Sequence, residues 1–148
     1  MTINLRELQQ HDYLWIYYAC QDPEILKWTT MGDTFSFNDA MDYVINNKIY
    51  EEETWVITKN NLPIGLISKH SYLNEEKTIY NVGYWIMKSE RKKGYGKIAW
   101  NLLYQKLKPN KYSFQLEIAP SNIASINTAK SLGFYVIGSK RGLSIYSK

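Results

Sequence analysis

The sequence predicts an α/β (α+β) fold, a single mixed, mostly antiparallel sheet of about seven strands flanked by about four helices. Three observations carry this. Thr54 to Lys59, Ile64 to Tyr72 and Thr78 to Met87 are β-rich runs of period two, parted by Asn60-Asn61 and by Asn74-Glu75-Glu76-Lys77, as in a three-stranded antiparallel meander. Downstream, a helical pattern lies between the third of these runs and a further strand-like run, so a parallel crossover is expected within the same sheet. No repeat, low-complexity tract or linker interrupts the 148 residues, which read as one domain over 1–148.

Taken in order, Ile3 to Leu8 alternates as a half-buried strand does, and Asp12 is placed to cap a helix over Tyr13 to Cys20 with Leu14, Tyr17 and Tyr18 on one face. Gln21 to Thr34 reads as a connection. Ser36 and Asp39 have capping-box spacing ahead of a second helix in which Ala40, Met41, Val44 and Ile45 recur at helical intervals. After the meander, a helix from about Tyr95 to Leu107 presents Ile98, Leu102, Leu103 and Leu107 together, and Pro109-Asn110 ends it. Tyr112 to Ile118 is a strand. Ser121 or Asn122 then opens a helix to Leu132, Gly133 caps its C-terminus, and Phe134 to Ile137 and Leu143 to Tyr146 close the sheet.

Composition narrows the function classes. With 45% hydrophobic and 15% aromatic residues the chain can fill an ordinary core, which excludes dominant disorder. No apolar run approaches the roughly 20 residues of a membrane helix, and the start lacks a basic segment followed by an apolar one, so a cytoplasmic location is expected. The single cysteine, Cys20, excludes an internal disulfide, and His11 and His70 stand too far apart for metal-ligand spacing. The net charge of +4 is concentrated. Lys88, Arg91, Lys92, Lys93 and Lys97 face one acid, Glu90, within a single decapeptide.

That decapeptide holds Arg91-Lys92-Lys93-Gly94-Tyr95-Gly96-Lys97, set between a strand and a helix start. Glycines there let the main chain turn tightly and approach a ligand, while the exposed N–H groups, the helix dipole and the lysines favour phosphate oxygens. A solvated basic turn is the alternative. Gly94, Gly96 and Ala99 also satisfy G-x-G-x-x-A, with Glu117 near the place of a ribose-binding acid. A Rossmann unit, however, begins its turn directly after the strand and needs further βαβ repeats, for which the remaining chain is too short. A nucleotide P-loop is excluded because no Gly-Lys-Ser/Thr follows.

Arg91-x-x-Gly94-x-Gly96 after the strand Asn81 to Met87 resembles the acetyl-CoA signature of the GNAT acyltransferases. Pro120-Ser121-Asn122-Ile123-Ala124-Ser125 and Leu132-Gly133-Phe134 are similar to that family's Asn-x-x-Ser/Ala and closing Gly-Phe. Gly83-Tyr84-Trp85 is especially like the branch of ribosomal-protein N-terminal acetyltransferases. The motifs cover Asn81 to Phe134; the N-terminal third matches by element order alone.

The resemblance implies a set of roles. Main-chain N–H groups from Lys92 to Lys97, with Arg91 alongside, receive the pyrophosphate of acetyl-CoA, and the pantetheine arm lies along Tyr84 to Met87 where the strand pair splays. An N–H near Ile86 or Met87 faces the thioester oxygen. Asn122 bonds the pantetheine arm or serves only as a helix cap. Ser125 protonates the departing thiolate or merely packs near the sheet. The family's tyrosine, four residues before the closing glycine, is replaced by Ala129, leaving Tyr95, Tyr104 or Tyr112 as substitutes. Glu117 and His70 are the nominated bases, Cys20 is read as core, and acceptor selection falls to Gln21 to Thr34 and the loop after Lys140.

The expected reaction is direct acetyl transfer from acetyl-CoA to a primary amine, either a peptide N-terminus or a small-molecule amine. No nucleic acid, membrane or metal is expected to take part, and a homodimer is left open. Two other classes remain: a non-catalytic CoA-sensing module, and a nucleic-acid-binding domain using the Lys88 to Lys97 patch.

Overall fold

The computed structural model describes residues 1–29, 32–46, 52–75, 77–107 and 112–148. Among them seven strands and five α-helices follow in the order β1 (Ile3–Glu7), α1 (Tyr13–Ala19), α2 (Pro23–Trp28), α3 (Phe37–Asn46), β2 (Glu52–Lys59), β3 (Leu62–Asn74), β4 (Lys77–Ile86), α4 (Tyr95–Leu107), β5 (Tyr112–Ile118), α5 (Ile123–Ser131), β6 (Tyr135–Lys140) and β7 (Leu143–Ser147). Short 3-10 turns occupy Gln10–Asp12 and Lys88–Glu90. The strands form one sheet in the order β1-β2-β3-β4-β5-β7-β6. Every pairing is antiparallel except β4 with β5, the expected crossover through α4.

Local chemistry accounts for the meander and for α3. Asn60 and Asn61 both take left-handed conformations, φ +50° and +68°, as a two-residue hairpin requires, and asparagine tolerates them. The box at α3 forms in full: Ser36 Oγ accepts from Asp39 N–H at 3.0 Å and Asp39 Oδ2 accepts from Ser36 N–H at 2.8 Å.

The sheet has an apolar layer on each side because successive strand residues point to opposite faces. Trp55 and Ile57 join Ile67, Val82, Phe114 and Leu116 under α4 and α5, whereas Val56, Leu66 and Trp85 join Ile16, Cys20, Ile25 and Ala40 under the first three helices.

Several expectations need correction. The buried face of α1 is Ile16 with neighbouring Cys20, and Leu14 and Tyr18 are exposed, because the cluster seats a narrow stripe against Val56 and Leu66. On α4 the buried stripe is Tyr95, Ala99, Trp100 and Leu103, with Ile98 turned outward. The segment read as a connection contains α2, opened by Asp22, whose Oδ1 accepts from Glu24 N–H at 3.1 Å, and by Pro23 in the first turn.

Asp12 occupies the N-cap position of α1 without capping it. Its carboxylate, fully buried, accepts from both Arg6 terminal nitrogens at 2.7 and 2.9 Å, from Gln9 N–H at 2.7 Å and from Trp15 Nε1–H at 2.8 Å. Burial alone would raise its pKa, but the Arg6, Gln9 and Trp15 bonds outweigh that and hold it below the usual carboxylate range.

Candidate active site

The site begins with a divided strand. Thr78 to Asn81 of β4 pair with β5 on one side and β3 on the other; beyond Asn81↔Gln115 the β5 ladder stops, while the β3 ladder runs on to Gly65↔Ile86. A notch opens between the C-terminal ends of two parallel strands, where α/β sheets commonly hold ligands. Met87 N–H donates to Ile64 O at 2.8 Å, so Met87 faces β3. That bond corrects the expectation for Met87, whose donor is taken. Because main-chain direction alternates along a strand, the N–H groups of Tyr84 and Ile86 point the other way, into the notch.

The glycine loop sits at the end of this strand. Lys92 (φ +62°) and Gly94 (φ +80°) take left-handed conformations two residues apart, folding the loop so that its N–H groups turn inward as an anion-binding nest does. Gly94 O accepts from Ile98 N–H at 3.2 Å and starts α4, so the N–H groups of Tyr95, Gly96 and Lys97 belong to the first helical turn, which has no intrahelical acceptors. Gly96 lies on the Tyr84 ring: a Cβ there would stand 2.6 Å from Tyr84 Cε2. Lys92, Lys93 and Lys97 are exposed, and Tyr95 is buried, so what Tyr95 offers a ligand is its main chain. Glu90 draws Lys93 (3.4 Å) and Lys59 (3.0 Å) to itself. The Arg91 guanidinium is turned from the loop toward α2, with Nη2 paired to Asp22 and Nε–H donating to Ile86 O at 2.9 Å.

A cavity of about 410 Å³ fills the notch, and the three nominated catalytic residues, Ser125, Glu117 and His70, all line it together with Asn122. Register explains their meeting. His70, Asn81 and Gln115 are cross-strand partners on β3, β4 and β5, and Glu117 lies two residues on, on the same face. His70 and Glu117 are exposed. Tyr72, whose hydroxyl donates to Gln115 Oε1 at 2.7 Å, has its pKa raised by burial and by the Glu117 charge.

On the opposite wall, Asn122 Oδ1 accepts from Ser125 N–H at 3.3 Å, so Asn122 does cap α5, and its amide N–H groups are not used by that cap. Ala129 is wholly buried in the core and is not among the residues that line the cavity. Among the substitute tyrosines, Tyr95 is in the core and Tyr104 stacks on Trp100 with centroids 5.3 Å apart. The Tyr112 side chain lies outside the described residues.

Tyr84 of the expected pantetheine strand and Lys27 and Thr29 of the segment assigned to acceptor selection also line the cavity, and sequence reasoning missed Ser68, Asn81 and Tyr43, which do so too. Period-two counting back from His70 and Trp85 would have put Ser68 and Asn81 on the same face. Burial raises the Tyr84 pKa, partly offset by a hydrogen bond with Thr128, so this phenol stays protonated at neutral pH. Among the described residues no three His, Cys, Asp or Glu side chains are grouped to hold a metal ion, and no helix is long and apolar enough to cross a membrane.

Known structures share this fold. The chain superposes with a TM-score of 0.85 on the aminoglycoside acetyltransferase AAC(6')-Ib bound to ribostamycin and coenzyme A, at 19% identity, covering 99% of this chain and 92% of that one. The ribosomal-protein alpha-N-acetyltransferase RimL with coenzyme A gives 0.83 at 15% identity over 100% and 94% of the two chains. The microcin self-immunity acetyltransferase MccE with acetyl-CoA and AMP gives 0.82 at 19% over 99% and 91%. These likenesses establish the fold. No curated protein sequence matches the chain. The family model described as "Acetyltransferase (GNAT) domain" matches residues 2–135, and with nine-tenths of its length so matched, the chain belongs to the GNAT acetyltransferase family.

Proposed function

We propose that this protein transfers the acetyl group of acetyl-CoA to a primary amine by direct attack on the thioester. One observation carries the reading: a notch between parallel strands presents the Tyr84 and Ile86 N–H groups and leads, past Tyr84, to a basic glycine loop at a helix N-terminus. The similar folds crystallised with coenzyme A or acetyl-CoA support it. When bound, acetyl-CoA supplies an activated acyl group whose carbonyl carbon accepts the nitrogen.

The chain's own residues do the rest. Loop N–H groups from Lys92 to Lys97 hold the pyrophosphate, at roughly 1.5–3 kcal/mol for each bond to a charged oxygen. Asn122 donates from its amide to the pantetheine arm. Ile86 N–H stabilises the charge that develops on the thioester oxygen. Glu117 or His70 takes a proton from the incoming ammonium so that the neutral amine attacks, and Ser125 donates its proton to the departing thiolate as it receives one from the newly acylated nitrogen. An α-amino group, with a reference pKa near 7.7–8.0, supplies some neutral amine at pH 7 unaided. A lysine-type amine at 10.4 needs about 4–5 kcal/mol. Peptide N-termini and weakly basic small amines are accordingly the favoured acceptors.

The test is thiol release from acetyl-CoA against a panel of a short peptide, an aminoglycoside and a polyamine. Turnover with one of them is the expected result; tight acetyl-CoA binding with no turnover on any would favour a CoA sensor. Ser125→Ala should lower kcat by about 10²-fold or more, with the KM for acetyl-CoA little changed.

A further inference from the structure

Arg91 opens the glycine loop, yet its guanidinium joins two other elements. Its Nε–H donates to the carbonyl of Ile86, the residue whose N–H faces the notch, and its Nη2 pairs with Asp22. Both partners of that ion pair are largely shielded, with side-chain exposures of 29% and 11%. Asp22 is committed twice, since its other carboxylate oxygen caps Glu24 N–H. α2 has six residues, too few to hold a helix by itself, so its position depends on this cap and on packing of Ile25. Its far end forms cavity wall: Lys27 and Trp28 line the notch, Trp28 Nε1–H donates back to Glu24 Oε2 at 2.9 Å, and Lys27 Nζ stands 4.5 Å from the indole.

We propose that Asp22 and Arg91 are a positioning pair through which occupancy of the glycine loop sets the α2 wall of the acceptor side. The inference rests on the acetyl-CoA reading above. Phosphate held by the Lys92 to Lys97 amides removes the freedom of the loop that Arg91 begins; the guanidinium is fixed with it, and Asp22 transmits that order to the first turn of α2. Coupling of this kind needs no large displacement and is reciprocal. An acceptor braced against Trp28 therefore tightens the cofactor site by the same factor.

Amide hydrogen exchange on the whole chain, with and without acetyl-CoA, tests it without knowledge of the acceptor. In the native protein acetyl-CoA should slow exchange at the loop amides and, on the order of fivefold or more, at Glu24 to Trp28. Asp22→Asn preserves a good N-cap and removes the charge, so it should keep loop protection and lose the ligand-dependent protection of α2. Arg91→Gln should do the same from the other partner. A purely structural pair would change α2 exchange equally with and without ligand, and that result overturns the proposal. So does loop protection with α2 unaffected in the native protein, or α2 protection that survives both substitutions. Absence of protection anywhere overturns the acetyl-CoA reading and this inference with it; the native arm separates these cases even if a variant fails to fold.

Discussion

The two flanks of the notch are built from different materials. Toward α4 and α5 the donors are main-chain N–H groups from the contiguous six residues Lys92 to Lys97 and from alternate residues of β4, fixed by φ values and helix geometry. Toward α2 and α3 the wall is side chains, His70, Glu117, Trp28 and Tyr43, drawn from four elements spread over ninety residues of chain. The first flank can hold the same ligand despite wide changes in side chains, because what it offers is backbone. The second can be redrawn one residue at a time. A family with one cofactor and many acceptors requires that division.

The largest effect belongs beneath the acceptor flank. Trp15, held by the buried Asp12, packs against Trp85 of the cavity wall with ring centroids 5.7 Å apart. Asp12→Asn keeps the shape and leaves Arg6 without its charge partner, so a loss of about 3–5 kcal/mol is expected in urea unfolding, the scale for breaking a buried pair. The pH dependence has a definite sign. Because the folded pKa of Asp12 is lowered, its contribution is complete above the unfolded value near 3.9 and is lost as pH falls through the lower folded value. The variant's stability should therefore vary less with pH below about 4 than the native protein's. Equal slopes would mean that Arg6 does not recognise the ionised form.

Gly96→Ala strikes the other flank with a smaller expected effect. Its Cβ would stand 2.6 Å from the Tyr84 ring, so either the first turn of α4 lifts or the ring moves into the notch. Overpacking costs roughly 1–3 kcal/mol, and here it displaces the phosphate donors themselves. The KM for acetyl-CoA should rise about tenfold or more while acceptor selectivity is kept. Gly94→Ala is the control: a Cβ there meets nothing within 4 Å, so its cost, about 1 kcal/mol, is the φ of +80° alone. If the two alanines behave alike, close approach to Tyr84 is not what position 96 requires.

The same division decided what the sequence disclosed. Gly94, Gly96 and the surrounding lysines were legible because a glycine loop between strand and helix is local, and α4 and β5 start and end where the pattern put them. Ser125, Glu117 and His70 are each legible singly, but their meeting in one cavity depends on a register across β3, β4 and β5 and on where α5 seats Ser125 beside it, which no local pattern encodes. α2 was hidden by its length, although Asp22-Pro23 announced it. Asp12 differs from its expected role because an aspartate before a helix reads as a cap, and only the turn back onto β1 brings Arg6, six residues earlier, to claim both oxygens. Likewise Arg91 reads as part of a basic run until Asp22, 69 residues away, takes its guanidinium.

The smallest expected effect sharpens the comparison most, because it perturbs the acceptor flank without touching Asp22 or Arg91. Ser36→Ala removes the hydroxyl that accepts from Asp39 N–H, and Asp39, whose carboxyl is held below its ordinary range by the Ser36 N–H and hydroxyl, loses one of its two partners. Losing a cap in a chain of this size lowers Tm by about 2–4 °C. α3 carries Tyr43 into the cavity wall, so acceptor KM should rise modestly, by about twofold to threefold, in the variant. The affinity for acetyl-CoA alone, measured by calorimetry, should stay within error of the native value. Ser36 follows Phe35, whose carbonyl accepts from Gln21 Nε2–H at 2.9 Å beside Asp22, so a drop in cofactor affinity on losing this cap would show that the two flanks are coupled through the entry to α2 as well as through the Asp22–Arg91 pair.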